Sequence, residues 1–196
     1  MKKFIPLIII IVILIGLFQW AVGLNNTMVE KQESAKKQWS NVESAYQRRA
    51  DLIPNLVNTV KGYASHEKET LEGVIQARAN ATKTTIDPTN VTPEQMAAFQ
   101  ESQNTLTGAL SRLMVVAERY PDLKANQNFL ELQSQLEGTE NRINVERNRY
   151  NEVATDYNIY VKKFPASLVA NILNFDPLVL FEAAAGSEKA PTVDFN

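Results

Sequence analysis

The sequence contains no cysteine. That excludes disulfides, thiolate catalysis and cysteine-ligated zinc, iron–sulfur or copper sites. Histidine occurs once, at His66. Flanked by charges in SHEKE, it reads as a solvated side chain on a helix rather than a base or metal ligand, because a site needs partners. Glycine is scarce, 7 in 196 residues, while apolar residues make up 44%, so beyond its first segment the chain reads as helical rather than β. Neither sign of charge dominates: 20 Lys and Arg against 22 Asp and Glu leave a net charge of -2. That balance gives no electrostatic pull toward nucleic acid. HExxH, P-loop, GxSxG and dinucleotide-binding patterns are all missing. The carboxylates do not fall into the Glu-plus-ExxH arrangement of di-iron bundles. The chain therefore reads as noncatalytic, with no cofactor and no metal.

What is present begins at the N-terminus. MKKFIPLIIIIVILIGLFQWAVGLNN has a basic tip and an apolar run from Phe4 to Leu24 broken only by Gln19. As a helix that run spans roughly 30 Å, the thickness of a hydrocarbon core. Pro6 falls in the first turn and Trp20 near the far interface, both tolerated places. The alternative is a cleaved secretory signal ending at Ala21-Val22-Gly23. The apolar core is long for that, so residues 4–24 are read as a retained anchor in the bilayer. Lys2 and Lys3 face Lys31, Lys36 and Lys37 across it, a nearly even count. The short basic tip favours an N-terminus left in the cytoplasm.

The remainder reads as an all-α, antiparallel up-and-down bundle of long helices. A first helix is expected from about Thr27 to Thr82, with Trp39, Val42, Tyr46, Ile53, Leu56, Val60, Tyr63 and Val74 as its stripe. After the loop TTIDPTNVTPEQ, Thr92-Pro93-Glu94-Gln95 reads as a capping box. The second helix starts there and stops at Tyr120-Pro121. A third helix from about Asn126 carries Phe129, Leu132, Leu136, Ile143, Tyr150, Val153, Tyr157, Tyr160 and Phe164, ending at Pro165. Residues 165–185 are expected to form a short helix packed on the bundle, because Asp176 and Pro177 make a poor second span and the segment lacks Lys and Arg for an interfacial helix. Residues 186–196 are expected to fray.

A straight first helix would be about 84 Å long and the second about 40 Å. The second turn, RYPDLKAN, would then sit beside DLIPN. Residues 25–53 would form a stalk and 54–164 the bundle. Pro54 frees the carbonyl of Ala50 and permits a bend at this junction. Arg48 or Arg49 is expected to reach Glu118 or Asp122, with Asp51, Tyr120 and Pro121 completing the junction. Arg49 falls on the apolar stripe itself. In the third helix Glu140 and Arg147 interrupt the stripe and read as a register-fixing polar network. Trp39, Val42 and Tyr46 lie below the expected bundle. They read as a self-association seam, in preference to a C-terminal segment folding back over them.

YQRRADLIPNLVNTVKGYASHE, ERYPDLKAN, FLELQSQLEGTENRINVERNRYNEVATDYN and Phe164-Pro165 together resemble the LemA family of bacterial membrane proteins. The resemblance covers nearly the whole chain, with departures after Asp176. It implies a single-span protein of the bacterial cytoplasmic membrane with a bundle of long helices and no established enzyme activity. Family members are often encoded beside membrane proteases or TPM-domain proteins, which makes such a membrane protein an expected partner. The functional expectation is a noncatalytic, membrane-anchored scaffold or adaptor that forms a homo-oligomer, in membrane maintenance. The alternative is a sensory bundle that binds a ligand between its helices.

Overall fold

The computed structural model describes residues 5–182. Helix α1 runs unbroken from Ile5 to Tyr63, 59 residues and about 88 Å. From Leu7 through Trp20 it is exposed on every side, and the apolar N-terminal part of the helix is long enough to cross a membrane. From Met28 onward the same helix enters a protein core, burying Met28, Ala35, Trp39, Val42, Tyr46, Ile53, Leu56 and Val60 at helical spacing.

The helix expected to continue to Thr82 is in fact two. α1 stops at Tyr63, a turn forms over residues 64–67, and α2 (Lys68–Lys83) folds back along α1. The turn is closed by Ala64 N donating to Val60 O (2.8 Å) and Glu67 N to Ala64 O (3.1 Å). His66 is exposed in this turn rather than on a helix. Burial is the physical reason for the reversal. Leu71, Val74, Ala77 and Ala81 join Ile53, Leu56, Val57 and Val60 in one core, and a straight continuation would carry them into water.

α3 (Pro93–Ala117) starts at the expected capping box: Gln95 N donates to Thr92 Oγ1 (3.2 Å) and Thr92 N to Gln95 Oε1 (2.9 Å). It climbs back along α2, and its Phe99 meets Trp39 and Tyr46 of α1 at ring separations of 5.9 and 5.3 Å. A single turn, α4 (Pro121–Lys124), leads into α5 (Gln127–Lys162), 36 residues long. Asn126 caps α5 by accepting from Phe129 N (3.0 Å). α5 then descends antiparallel to α1 along its whole packed length. Its start is tied to Tyr63 by Asn126 Nδ2 (2.9 Å to the hydroxyl), and near its end Tyr160 lies under Lys31. α6 (Ala166–Leu173) packs on α1 and α5. Asn174, left-handed at φ 57°, ends it, and a non-helical strap of residues 174–182 turns back up the bundle.

Two consequences correct the sequence reading. Because α1 turns at Tyr63, the α3–α4 turn lies at the top of the bundle and not beside Pro54. There Tyr120 Oη and Arg119 Nη2 both donate to Glu67 Oε1 (3.0 and 3.1 Å). The stretch read as a bare stalk is also covered from within the chain. Trp39, Val42 and Tyr46 are 2%, 0% and 9% exposed, in a lower core shared with Ile86 of the α2–α3 loop, Phe99, Ile143, Tyr150, and Leu178 and Phe181 of the strap. The expected self-association seam is thus filled by the C-terminal segment folding back. Residues 183–196, which include the end of the expected packing segment and the tail expected to fray, lie outside the described residues.

Trp39 is the hub of the lower core. Its ring stacks on Phe181 (5.3 Å, 12°) and meets Tyr150 edge-on (5.1 Å), while its Nε1 donates to Ile86 O (3.1 Å). Trp39→Ala is expected to cost about 4 kcal/mol, read by denaturant unfolding of the detergent-solubilised chain. A loss under about 1 kcal/mol, the range of a surface change, would show the stalk region to be open.

Candidate functional site

Two polar constructions stand out, a charged layer through the middle of the bundle and a clamp holding the strap.

Arg49 lies one turn below Pro54, between the lower core ending at Tyr46 and the upper core starting at Ile53. It is 2% exposed. Its Nη1 donates to Glu140 Oε2 (2.7 Å) and Thr107 Oγ1 (3.0 Å), and its Nη2 to Gln103 Oε1 (2.6 Å). Gln103 Nε2 in turn donates to Ala81 O (3.0 Å). One buried guanidinium therefore joins α1, α3 and α5 directly and α2 through Gln103. Its face lies over the Tyr46 ring at 5.3 Å. Burial raises the Tyr46 hydroxyl above its ordinary range, opposed by the positive charges of Arg147 and Arg49.

Pro54 completes this level. Proline cannot donate to the carbonyl four residues earlier, and Ala50 O is taken instead by Arg78 Nε of α2 (2.7 Å). The expected freed carbonyl is present, and its partner is the helix created by the reversal at Tyr63.

The other junction residues do not converge. Arg48 is exposed, on an open cleft of about 770 Å³ beside Ser40, Glu43 and Thr82. Asp51 is exposed and accepts from Gln47 Nε2 (2.7 Å). Glu118 pairs with Lys124 at the top of the bundle, and Pro121 and Asp122 lie exposed there. Neither Arg48 nor Arg49 reaches Glu118 or Asp122. The turn that folds α2 back places those acids beyond the top of α3, about three helical turns above the level of Gln103 and Thr107 where Arg49 lies.

Glu140 and Arg147 are both engaged, with different partners. Glu140 binds Arg49. Arg147 Nη2 donates to Gln100 Oε1 (3.2 Å) and Glu182 O (3.1 Å), and its guanidinium lies over Phe181 at 4.7 Å. Between them sits a buried charge that sequence reasoning missed. Glu146, 1% exposed, accepts from Gln38 Nε2 (2.6 Å), and its other oxygen pairs with Arg142 (2.5 Å) and Arg149 (3.4 Å).

The clamp is built from a repeat. Tyr150-Asn151 recurs seven residues later as Tyr157-Asn158. Asn158 exchanges two hydrogen bonds with the backbone of Leu178 (2.9 and 2.7 Å), and Asn151 does the same with Phe181 (2.9 and 2.9 Å). Tyr157 Oη donates to Asp176 O (3.1 Å) and Tyr150 Oη to Val179 O (3.0 Å). Two helical turns rise about 10.5 Å, and three residues of extended chain cover about 10 Å. The strap, antiparallel to α5, therefore matches the helix repeat.

No group of three or more His, Cys, Asp or Glu side chains gathers as a metal site among the described residues. Arg49 Nε is buried without a hydrogen-bond partner among the described residues; the other buried polar groups of both constructions are engaged with one another or with backbone. Their chemistry is that of register and docking.

Removing Glu140 strips the buried Arg49 of its carboxylate. Glu140→Ala is expected to cost about 2 kcal/mol, measured by denaturant unfolding. An unchanged midpoint would make the ion pair ornamental. The clamp tyrosines give a pH dependence. Burial, with the nearby Asp176 charge adding to it, pushes the Tyr157 hydroxyl from 10.0 up to about 12; burial also raises Tyr150. Above pH 10 the unfolded phenols ionise while the folded ones hold their protons. The stabilisation is therefore complete below pH 10 and is lost as pH rises through the folded values. A Tyr150→Phe, Tyr157→Phe variant should melt lower near neutrality yet lose less stability between about pH 10 and pH 12; parallel curves for both proteins would contradict this.

A family model described as the LemA family matches residues 38–195, running well past Asp176. Protein LemA of Metamycoplasma hominis is 27% identical over 178 residues, covering 90% of this chain and 78% of that protein. Magnetosome protein MamQ 2 of Paramagnetospirillum magneticum is 27% identical over 174 residues, 80% of this chain and 64% of that one. Magnetosome protein MamQ of Magnetospirillum gryphiswaldense is 26% identical over 179 residues, 82% and 66%. The chain thus spans about two thirds of the length of the magnetosome proteins it matches. With a family match reaching from the lower part of α1 through the strap, this chain belongs to the LemA family.

Proposed function

We propose that the protein is a noncatalytic, membrane-anchored scaffold or adaptor of the bacterial cytoplasmic membrane, presenting the outer faces of its helical bundle to another membrane protein. The observation that carries this reading is the continuity of α1. One helix supplies both the apolar span and the bundle's central strut, with no loop between them. The anchor therefore sets the height and orientation of the bundle. The buried charges support the same reading, since Arg49 and Glu146 are bound on several sides by partners that fix helix register. The stalk stripe takes no part, because the strap fills it. A protease or TPM-domain protein of the same membrane is the partner class that this reading favours.

Crosslinking in native membranes tests it. Photoreactive residues at Ile75 and Val115, 53% and 69% exposed, should yield adducts with a second polypeptide, while buried Val42 should yield none. Adducts at multiples of 22.0 kDa containing only this chain would make the scaffold homo-oligomeric. Absence of protein adducts from every exposed face would refute the adaptor reading.

A further inference from the structure

α6 carries an apolar face that nothing in the described chain covers. Ala166 and Ala170 turn inward at 4% and 2% exposure. Leu168, Ile172 and Leu173 are 56%, 76% and 47% exposed, and Phe164 just before them is 75% exposed. Solitary exposed apolar residues are ordinary; four together on an eight-residue helix and its lead-in are not.

The register of α5 against α1 gives the height of this patch. Glu140 pairs with Arg49, Glu146 with Gln38, and Tyr160 lies under Lys31. In an antiparallel pair, each step along α5 is one step back along α1. Lys163 therefore stands beside roughly residue 28. α6 follows at once and touches α1, so it lies at the end of the apolar span. Burial on α1 agrees. The span is exposed from Leu7 through Trp20, but Ala21, Leu24 and Asn25 are half-buried, and Leu24 and Val169 pack against the same lower core.

We infer that α6 is the foot of the bundle, seated in the bilayer interface beside the point where α1 emerges. This inference rests on α1 being a membrane anchor. Phe164, Leu168, Ile172 and Leu173 enter the boundary between headgroups and acyl chains. Exposed Lys162 and Lys163 stand where lysines reach headgroup phosphates with their stems along apolar surface. ASLVANIL has no charged residue, so no ionic desolvation opposes its seating at the interface. The absence of Lys and Arg from the helix argues against an interfacial role only if it must bind alone. Here the anchor brings it to the surface, and the two lysines precede it. α6 thereby adds a second point of attachment, turning a bundle held by one helix into one seated against the lipid.

The absence of cysteine makes the test direct. Full-length single-cysteine variants Ile10→Cys in the span, Leu168→Cys and Ile172→Cys in α6, and Leu130→Cys at the opposite end of the bundle are labelled with an environment-sensitive fluorophore. They are then reconstituted into phosphatidylcholine and phosphatidylglycerol vesicles. All four positions are exposed in the protein, so the substitutions leave its core intact. The expected result is that labels at 168 and 172, like that at 10, shift to the blue, lose quenching by aqueous iodide and gain quenching by spin-labelled acyl chains, while the label at 130 does the reverse. If 10 is protected but 168 and 172 stay open to iodide, the anchor stands and the foot is overturned. Protection of 168 and 172 from both quenchers would mean that protein covers the patch, which also overturns it. A label at 10 open to iodide would remove the anchor and this inference together.

Discussion

The constraint on which the structure depends is a mismatch of lengths. α1 and α5 pack along some 36 residues, while α2 has 16 and α3 has 25. Four helices fill the upper bundle. Lower down, two long helices have no full-length helical partners, and their apolar stripes would meet water. The α2–α3 loop and the strap supply what is missing, bringing Ile86, Leu178 and Phe181 to Trp39 and Tyr150. The lower half is a two-helix pair finished by non-helical chain, which is why so much of its polarity goes into gripping backbone.

Between the halves, the Arg49 layer sets which residues face which. Hydrophobic stripes of similar width can slide by a turn at little cost. A buried guanidinium cannot, because losing its carboxylate and amide partners leaves a charge without compensation. Glu146 repeats the device lower on α5 with the opposite sign, held to α1 through Gln38. Two buried charges of opposite sign at different heights oppose a sliding of α5 along α1.

Features fixed by local chemistry were legible in the sequence. The apolar span, the Thr92 capping box, the Asn126 start of α5 and the carbonyl freed by Pro54 each follow from neighbouring residues. The reversal at Tyr63 was not, because GYASHEKE has no proline and its one glycine is tolerable within a helix. The available signal was the lapse of large apolar residues between Tyr63 and Leu71. Once that turn is missed, the height of the α3–α4 turn is misplaced, and with it the partners assigned to Arg48 and Arg49. The seam at Trp39, Val42 and Tyr46 was correctly seen as needing cover, but periodicity along one helix carries no information about what lies on it. The Tyr-Asn repeat reads in sequence only as part of the packing stripe of its helix, because the strap it grips has no periodicity of its own to match.

That repeat makes the strap a vernier. Seven divisions of the helix coincide with three of the extended chain, so both asparagines and both tyrosines come into coincidence together. A slip of one or two residues misses all four grips together, and only a displacement of three restores them. At that setting Leu178 would replace Phe181 against Trp39, or Phe181 would pass out of the aromatic cluster altogether. The docked C-terminal segment thus has discrete positions rather than a continuum of them, and the aromatic cluster selects which one is occupied.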